Sequence, residues 1–395
     1  MNNRRIAIFS TLIVFFMISV LSAYYIGIKE NNAQKINADS IYTPVSRLER
    51  QLINNELSNS RENLITETVQ KVSPAVVGIN VTEIQKIDPY ASLFGNDPFW
   101  KQFFGDRSYN QEIKILGSGT IISSDGYILT NDHVAGNASK IVVTLTNGKH
   151  YAAKKIGSDP VSDICLLKID DTNLPFIPMG NSDDVLIGEW VIALGNPFGL
   201  FDINDQPTVT VGVISAKGMN LDPVNNRYYL GMLQTDAAIN SGNSGGPLVN
   251  SIGEMIGMNT LIYTGGGAGS IGLGFAIPIN KVKRIIDDIK KHGSIDRNFW
   301  IGLNAQTIDE GIAKYYNLTT TRGVIVTNVE RNSPASKAGI QVGDIIYDID
   351  DYKIINYQSL IGVFQEFRTG QTITLKLMRD NKMITTKMTL EKRYD

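Results

Sequence analysis

From about residue 66 to about residue 280 the chain is cut into short apolar runs separated by turn residues, and this rhythm limits the fold more than any other feature. Ala75-Val76-Val77-Gly78-Ile79, Thr120-Ile121-Ile122, Lys140-Ile141-Val142-Val143-Thr144-Leu145 and Trp190-Val191-Ile192-Ala193-Leu194 are examples. Many short β-like runs without intervening helices argue for barrels or sandwiches, all-β with a few helices. Helical spacing returns at Asn280–Lys291, where Val282, Ile285, Ile286 and Ile289 recur at i, i+3, i+4 and i+7. Asn280 is the expected start cap of that helix and Gly293 its stop. With 395 residues, two to three domains are expected.

Charge is nearly balanced, 37 basic against 39 acidic residues. No basic patch interleaved with aromatics appears, so nucleic acid is not an expected partner. No His-Glu-x-x-His and no paired cysteines occur, so no metal and no cofactor is expected. Gly267-Ala268-Gly269-Ser270-Ile271-Gly272 matches a dinucleotide string, but it leads into the strand-like Leu273–Pro278 and not into a helix, so it reads as a loop. Cys165 is the single cysteine and sits in an apolar run, as a small buried hydrophobe would.

The chemistry centres on Asn240-Ser241-Gly242-Asn243-Ser244-Gly245-Gly246-Pro247. A serine among glycines can present its hydroxyl and neighbouring amides to one carbonyl. It still needs a base, and the base needs an orienting group. Of the three histidines, His133 follows the apolar run Tyr127–Thr130 and precedes Val134-Ala135-Gly136, as a strand end delivering a side chain to a cleft would. Asp163, at the mouth of Ile164-Cys165-Leu166-Leu167, is the candidate orienter. Asp132 is expected to point away from His133 on an extended backbone. Asp159, Asp170 and Asp171 read as turn or solvent-facing residues. The order His133, Asp163, Ser244 is one of the three known orders of this triad. The amides of Gly242 and Ser244, with Asn243 between them, would form an oxyanion hole.

Ile6–Ile28 carries no charged residue and would span about 34 Å as a helix. A bilayer core is about 30 Å thick. Arg4 and Arg5 precede the run, which places the N-terminus in the cytoplasm. An uncleaved anchor over residues 1–30 is therefore expected, followed by a polar tether over 31–65. A cleaved signal peptide, which would leave a periplasmic protein, is the competing reading.

Leu116-Gly117-Ser118-Gly119, Thr130-Asn131-Asp132-His133-Val134, Ser162-Asp163-Ile164, Gly195-Asn196-Pro197, Gln234-Thr235-Asp236-Ala237 and Gly242–Gly246 together resemble the HtrA/Deg family of serine proteases. The resemblance runs from about residue 66 to the C-terminus. It implies a chymotrypsin-like double β-barrel protease domain (66–293), with His133 as base, Asp163 as orienter and Ser244 as nucleophile. Further on, Trp300-Ile301-Gly302-Leu303, Gly323-Val324-Ile325-Val326, Ser333-Pro334-Ala335 and Val342-Gly343-Asp344-Ile345-Ile346 resemble a bacterial PDZ domain (297–395). Such a domain takes a peptide as an added strand and holds its terminal carboxylate on backbone amides. Trp300, Ile301, Gly302 and Leu303 are the candidates for that loop.

One PDZ domain behind a single transmembrane helix is similar to the DegS subgroup. The resemblance implies an inner-membrane protein with its protease and PDZ domains in the periplasm. It would cleave misfolded or regulatory envelope proteins, including unfolded or membrane-anchored substrates, in quality control or a stress response. Peptides with free hydrophobic C-termini would bind the PDZ domain. The aromatic loop Lys86–Asn110 would support a homotrimer. Ile239 and Ile262 would line the substrate pocket, and Ala238 stands where a trypsin-like enzyme has its pocket-floor aspartate. Cleavage after small or medium aliphatic residues is therefore expected. Segments 198–206, 217–227 and 264–272 are the expected mobile loops. Relatives carry an arginine after the Ser-Ala-x-Gly turn; here Met219 follows Gly218, and the nearest arginine is Arg227. The alternative function is a PDZ-dependent periplasmic chaperone or scaffold with little proteolysis.

Overall fold

The computed structural model describes residues 62–87, 109–196, 201, 205–240, 242–262 and 272–392, with Met17 and Ser22. Nearly all of the expected anchor and of the tether, most of the aromatic loop and most of segments 198–206 and 264–272 lie outside the described residues. Among the described residues, no helix is long and apolar enough to cross a membrane. Every element below belongs to the compact unit Asn63–Asp395.

Helix α1 (Leu64–Val72) opens it. The Asn63 side chain accepts from the Ile65 and Thr66 amides, and the Thr66 hydroxyl accepts from the Asn63 amide, a reciprocal cap that starts the helix inside the expected tether. Seven strands follow: β1 (Val76–Ile87), β2 (Tyr109–Ile121), β3 (Tyr127–Thr130), β4 (Lys140–Leu145), β5 (His150–Ala152), β6 (Lys154–Asp159) and β7 (Ile164–Lys168). They form one antiparallel sheet in the order β5-β4-β1-β2-β3-β7-β6. Between β3 and β4 lies the one-turn helix α2 (Asp132–Ala135). The two edge strands, β5 and β6, are consecutive in the chain with Ala153 alone between them. The sheet therefore turns back at that edge without the continuous ladder of a closed barrel. Ile79, Ile121, Ile128, Leu129 and Leu166 fill its interior and are fully buried.

The second sheet is a closed barrel. Strands β8 (Trp190–Gly195), β9 (Thr208–Met219), β10 (Met232–Thr235), β11 (Pro247–Asn250), β12 (Met255–Ile262) and β13 (Gly274–Pro278) run in the order β10-β13-β12-β11-β8-β9, with β9 and β10 paired to close it. Helix α3 (Ile279–His292) buries Val282, Ile285, Ile286 and Ile289 as its spacing predicted. Its stop at Gly293 is also as predicted, with φ 74° and an amide donating to the Ile289 carbonyl. Its start differs. Pro278 is the N-cap, and Asn280 lies inside the first turn with its amide on the Ser182 hydroxyl and its side chain on Asn181. A proline can precede the first turn because that turn's N–H groups have no intrahelical partner.

The C-terminal part is a separate sheet around its own core. It contains β14 (Leu303–Thr307), α4 (Glu310–Tyr315), β15 (Val324–Val329), α5 (Pro334–Lys337), β16 (Ile345–Ile349), β17 (Tyr352–Lys353), α6 (Tyr357–Phe364), β18 (Thr372–Arg379) and β19 (Lys382–Thr389). Strand β14 is an edge of the order β14-β15-β16-β18-β19. Leu360, Val363 and Phe364 of α6 pack into this core, and so does Leu230 from the β9–β10 connection.

Asp159 corrects the sequence reading. It is not solvent-facing: it is 2% exposed at the end of β6, and both carboxylate oxygens take the Arg297 guanidinium at 2.6 and 2.7 Å. Arg297 also donates to the Gln365 carbonyl after α6, tying the first sheet to the C-terminal one. Burial works against the Asp159 charge, but the bonds and charge of Arg297 outweigh it and hold the carboxyl below its usual value. A carboxyl held low in the folded state stabilises the fold above its unfolded pKa of about 3.9 and gives that stability up as pH falls through the folded value. Thermal melts from pH 7 to pH 2 should hold steady down to about pH 4 and then drop. Asp159→Asn should lower the melt at pH 7 and make its acid dependence shallower; an unchanged slope would contradict this assignment.

Candidate active site

Three segments from two sheets are joined through Thr260. His133 lies in α2, not at the end of a strand. Strand β3 stops at Thr130, and Asn131 in extended conformation starts the turn. Asp163 immediately precedes β7 and has φ 59°, the left-handed region that aspartate tolerates better than most residues. That bend turns its fully buried carboxylate onto His133. The His133 ring Nδ1 lies 3.0 and 2.8 Å from the two carboxylate oxygens, and the His133 amide donates to one of them at 2.9 Å.

Further donors converge on the same carboxylate. The Thr260 hydroxyl on β12 donates at 2.9 Å, the Asn131 side-chain amide at 3.2 Å and the Tyr229 hydroxyl at 3.2 Å. Burial opposes the Asp163 charge, but hydrogen bonding to His133, its charge and the Thr260 hydroxyl prevail and hold the carboxyl below its ordinary value. Burial and the charge of Asp163 push the Tyr229 phenol up, so it serves this site as a donor. None of these supporting residues carried a sequence signal of its own, apart from the adjacency of Asn131 to His133.

Ser244 sits in the loop before β11, and Ser118 of β2 pins that loop to the first sheet. The Ser118 amide donates to the Ser244 carbonyl at 3.0 Å, and its hydroxyl donates to the Gly242 carbonyl at 2.5 Å while accepting from the Asn196 amide at 2.7 Å. Gly242 has φ 93° and Gly245 φ 85°, and a Cβ on Gly245 would lie 2.2 Å from the Ser118 carbonyl oxygen. Glycine is the residue that fits both places. The Asn243 amide turns back to the Asn240 carbonyl at 3.0 Å. The Gly242 and Ser244 amides donate to no group among the described residues, as free oxyanion donors would. The Asn243 side chain is buried, and its two polar atoms have no partner among the described residues.

The Ser244 hydroxyl donates to the Thr260 carbonyl at 3.0 Å and makes no hydrogen bond to His133. Ile239 is fully buried behind the site and packs against Gly274. The side chain of Ile262 lies outside the described residues. Cys165 is fully buried, and burial, the largest cause, pushes its thiol up to about 12, so it is no nucleophile.

A model of the trypsin-like peptidase domain matches residues 117–258, and a model of the PDZ domain matches residues 301–390. A probable periplasmic serine endoprotease, DegP-like, from Chlamydia muridarum is 38% identical over 94% of this chain and 76% of its own length. The chain belongs to the HtrA/DegP-type serine endoproteases. A second DegP-like relative, from Marinomonas, is 39% identical over 83% of this chain and 71% of its own. Among solved structures, the HtrA-type protease AlgW with a decapeptide is 35% identical, with TM-score 0.62, covering 85% of this chain and all of that one. The serine endoprotease from Yersinia pestis is 32% identical with TM-score 0.54, covering 84% of this chain.

Like its HtrA-type relatives, this chain is a serine endopeptidase, and it carries one PDZ domain. In the PDZ domain, Trp300, Ile301, Gly302 and Leu303 lie together along a groove of about 300 Å³ completed by Ile361 and Phe364 of α6. Gly302 has φ 68°, and a Cβ there would lie 2.1 Å from the Ser333 Cβ. The groove runs beside the edge strand β14, where an extended peptide could pair.

Proposed function

We propose that Ser244 is the nucleophile, His133 its general base and Asp163 the group that fixes the imidazole and stabilises its charged form. The amides of Gly242 and Ser244 hold the oxyanion. The observation that carries this is the paired contact of His133 Nδ1 with the buried Asp163 carboxylate, which Thr260 joins to the glycine-held Ser244. Nδ1 bound to a carboxylate keeps its proton, which leaves Nε2 free to accept the one from serine. Acylation needs Ser244 to leave the Thr260 carbonyl and turn to His133.

The protease domain spans about 66–293 and the PDZ domain about 297–395. The substrates are misfolded or regulatory proteins of the bacterial envelope. Cleavage falls after small or medium aliphatic residues, because Ile239 closes the pocket and Ala238 leaves no carboxylate to pair a basic side chain; an unpaired buried cation costs several kcal/mol. Peptides with free hydrophobic C-termini add to β14, with their carboxylate at Ile301–Leu303. The protein works in the periplasm, held at the inner membrane by residues 6–28, as a homotrimer. The periplasmic setting is supported by the names its DegP-like relatives carry.

The purified chain should cut casein, and N-terminal sequencing of the fragments should show Val, Ala or Leu before the cut. Peptides ending in a free hydrophobic carboxylate should change the rate, and their amidated forms should not. Cuts after Lys or Arg would overturn the pocket assignment. Binding of unfolded chains without any cleavage would favour the chaperone reading, which the Ser244–Thr260 bond supports.

A further inference from the structure

Arg227 occupies a place that the triad itself does not call for. It follows a tight two-residue turn in the β9–β10 connection. Asn225 and Asn226 have φ 51° and 62°, and the Val224 and Arg227 amides and carbonyls bond across the turn at 2.9 and 3.1 Å. Two successive positive φ values define the hairpin turn that asparagine favours. Beyond it the chain alternates. Arg227 and Tyr229 reach toward Asp163, while Tyr228 and Leu230 lie where a Cβ on Gly362 of α6 would meet them. The hairpin, bonded from Leu221 to Tyr229, overlaps the segment 217–227 and enters the site.

The Arg227 side chain is 18% exposed. Its Nη2 donates to the Asp132 carboxylate at 3.0 Å, and its Nε lies 3.2 Å from Asp163 Oδ1, the oxygen that also accepts the His133 amide, in an ion contact without hydrogen-bond geometry. Asp132 is 5% exposed, so two buried carboxylates share one guanidinium. We propose that Arg227 is a positioning residue of the triad, clamping Asp163 to Asp132 and withdrawing part of the negative charge on which the His133 imidazolium depends.

The sign follows from electrostatics. His133 works as a base when neutral, so anything that favours its charged form delays activity to higher pH. On the same one-turn helix, Asp132 precedes it, and Lys155 of β6 donates its ammonium to the carbonyl of the helix's C-cap, Gly136. Asp159 and Arg297 pair with each other at the far end of the same turn. Tyr229 and Thr260 are neutral donors. Removing Arg227 leaves two uncompensated carboxylates near the imidazole and favours the imidazolium. Removing the Asp132 charge leaves the guanidinium to Asp163 alone and disfavours it.

The proposal rests on the triad assignment, so the test reads Ser244 directly. The full chain is treated with a fluorophosphonate, and the labelling rate is followed from pH 5 to pH 9. In Arg227→Met the acid limb should move up by about one pH unit, the low end expected for a charge within about 6 Å. In Asp132→Asn it should move down. Arg227→Lys, which keeps the charge but loses the fork, should fall between wild type and Arg227→Met. A merely structural residue would lower the rate at every pH without displacing the limb. Limbs that stay in place, or that move the same way in both variants, overturn the proposal. If Arg227→Met fails to fold, Asp132→Asn and Arg227→Lys still decide it. A wild-type chain that is never labelled removes the triad reading, and this one with it.

Discussion

Ser244→Ala is expected to lower kcat on casein or a peptide substrate by about 10⁶, the size of loss seen when the nucleophile of an unrelated serine protease is removed. The fold should survive. The Ser244 hydroxyl makes one hydrogen bond, to the Thr260 carbonyl, and losing it costs about 1 kcal/mol. The loop is held by its backbone: Ser118 to the Ser244 carbonyl, Gly245 to Asn259 and Gly246 to Asn243. The variant should therefore melt within a few degrees of wild type and bind peptides at the PDZ groove unchanged. Comparing the turnover and the melting curves of the two proteins checks both halves. Turnover above about one hundredth of wild type would point to a nucleophile other than Ser244.

The residues proposed to touch the reacting atoms could be picked from the sequence, because acyl transfer allows few residue types and the glycines around Ser244 have a steric reason to be there. The groups that hold them could not. Thr260 lies within an ordinary strand, and Ser118 within another. Ser118 stands in a recognised motif but without a role, and Thr260 draws no notice, until the two sheets bring them to Gly242 and Asp163. Arg227 stood out only as an arginine in an unexpected place. Its link to Asp163 depends on a hairpin turn set by Asn225 and Asn226, which the sequence did not flag. Asp159 was misread because turn composition says nothing of a partner 138 positions away. Strand rhythm indicated barrels or sandwiches but could not distinguish the closed ladder of β8–β13 from the open one of β1–β7, since closure depends on pairing between distant strands. The α3 start was missed by two residues for a local reason: Asn280 has the chemistry of a cap, but Ser182 and Asn181 take it as a partner across the fold.

Asp163→Asn should cost about 10⁴ in kcat with KM nearly unchanged, as the same exchange does in the chymotrypsin template. The cause can be read from the donors. The carboxylate accepts from Nδ1 and the amide of His133, the Thr260 and Tyr229 hydroxyls and the Asn131 side-chain amide, with the Arg227 charge 3.2 Å away. All of them bring hydrogens. An asparagine has one oxygen and one NH₂ group, so its NH₂ must oppose some of these donors. If the NH₂ faces His133, Nδ1 must give up its proton, and Nε2 then carries the one that prevents it from accepting from Ser244. If it faces Thr260 and Asn131, a buried donor is left without an acceptor, at a cost of about 1–3 kcal/mol. Either orientation leaves the Arg227 charge without its second carboxylate. The variant should melt lower than Ser244→Ala and react slowly with a fluorophosphonate, yet still bind peptide at the PDZ groove. If its kcat stays within tenfold of wild type, Asp163 does not orient the base, and Asp132, the other buried carboxylate beside His133, becomes the residue to test.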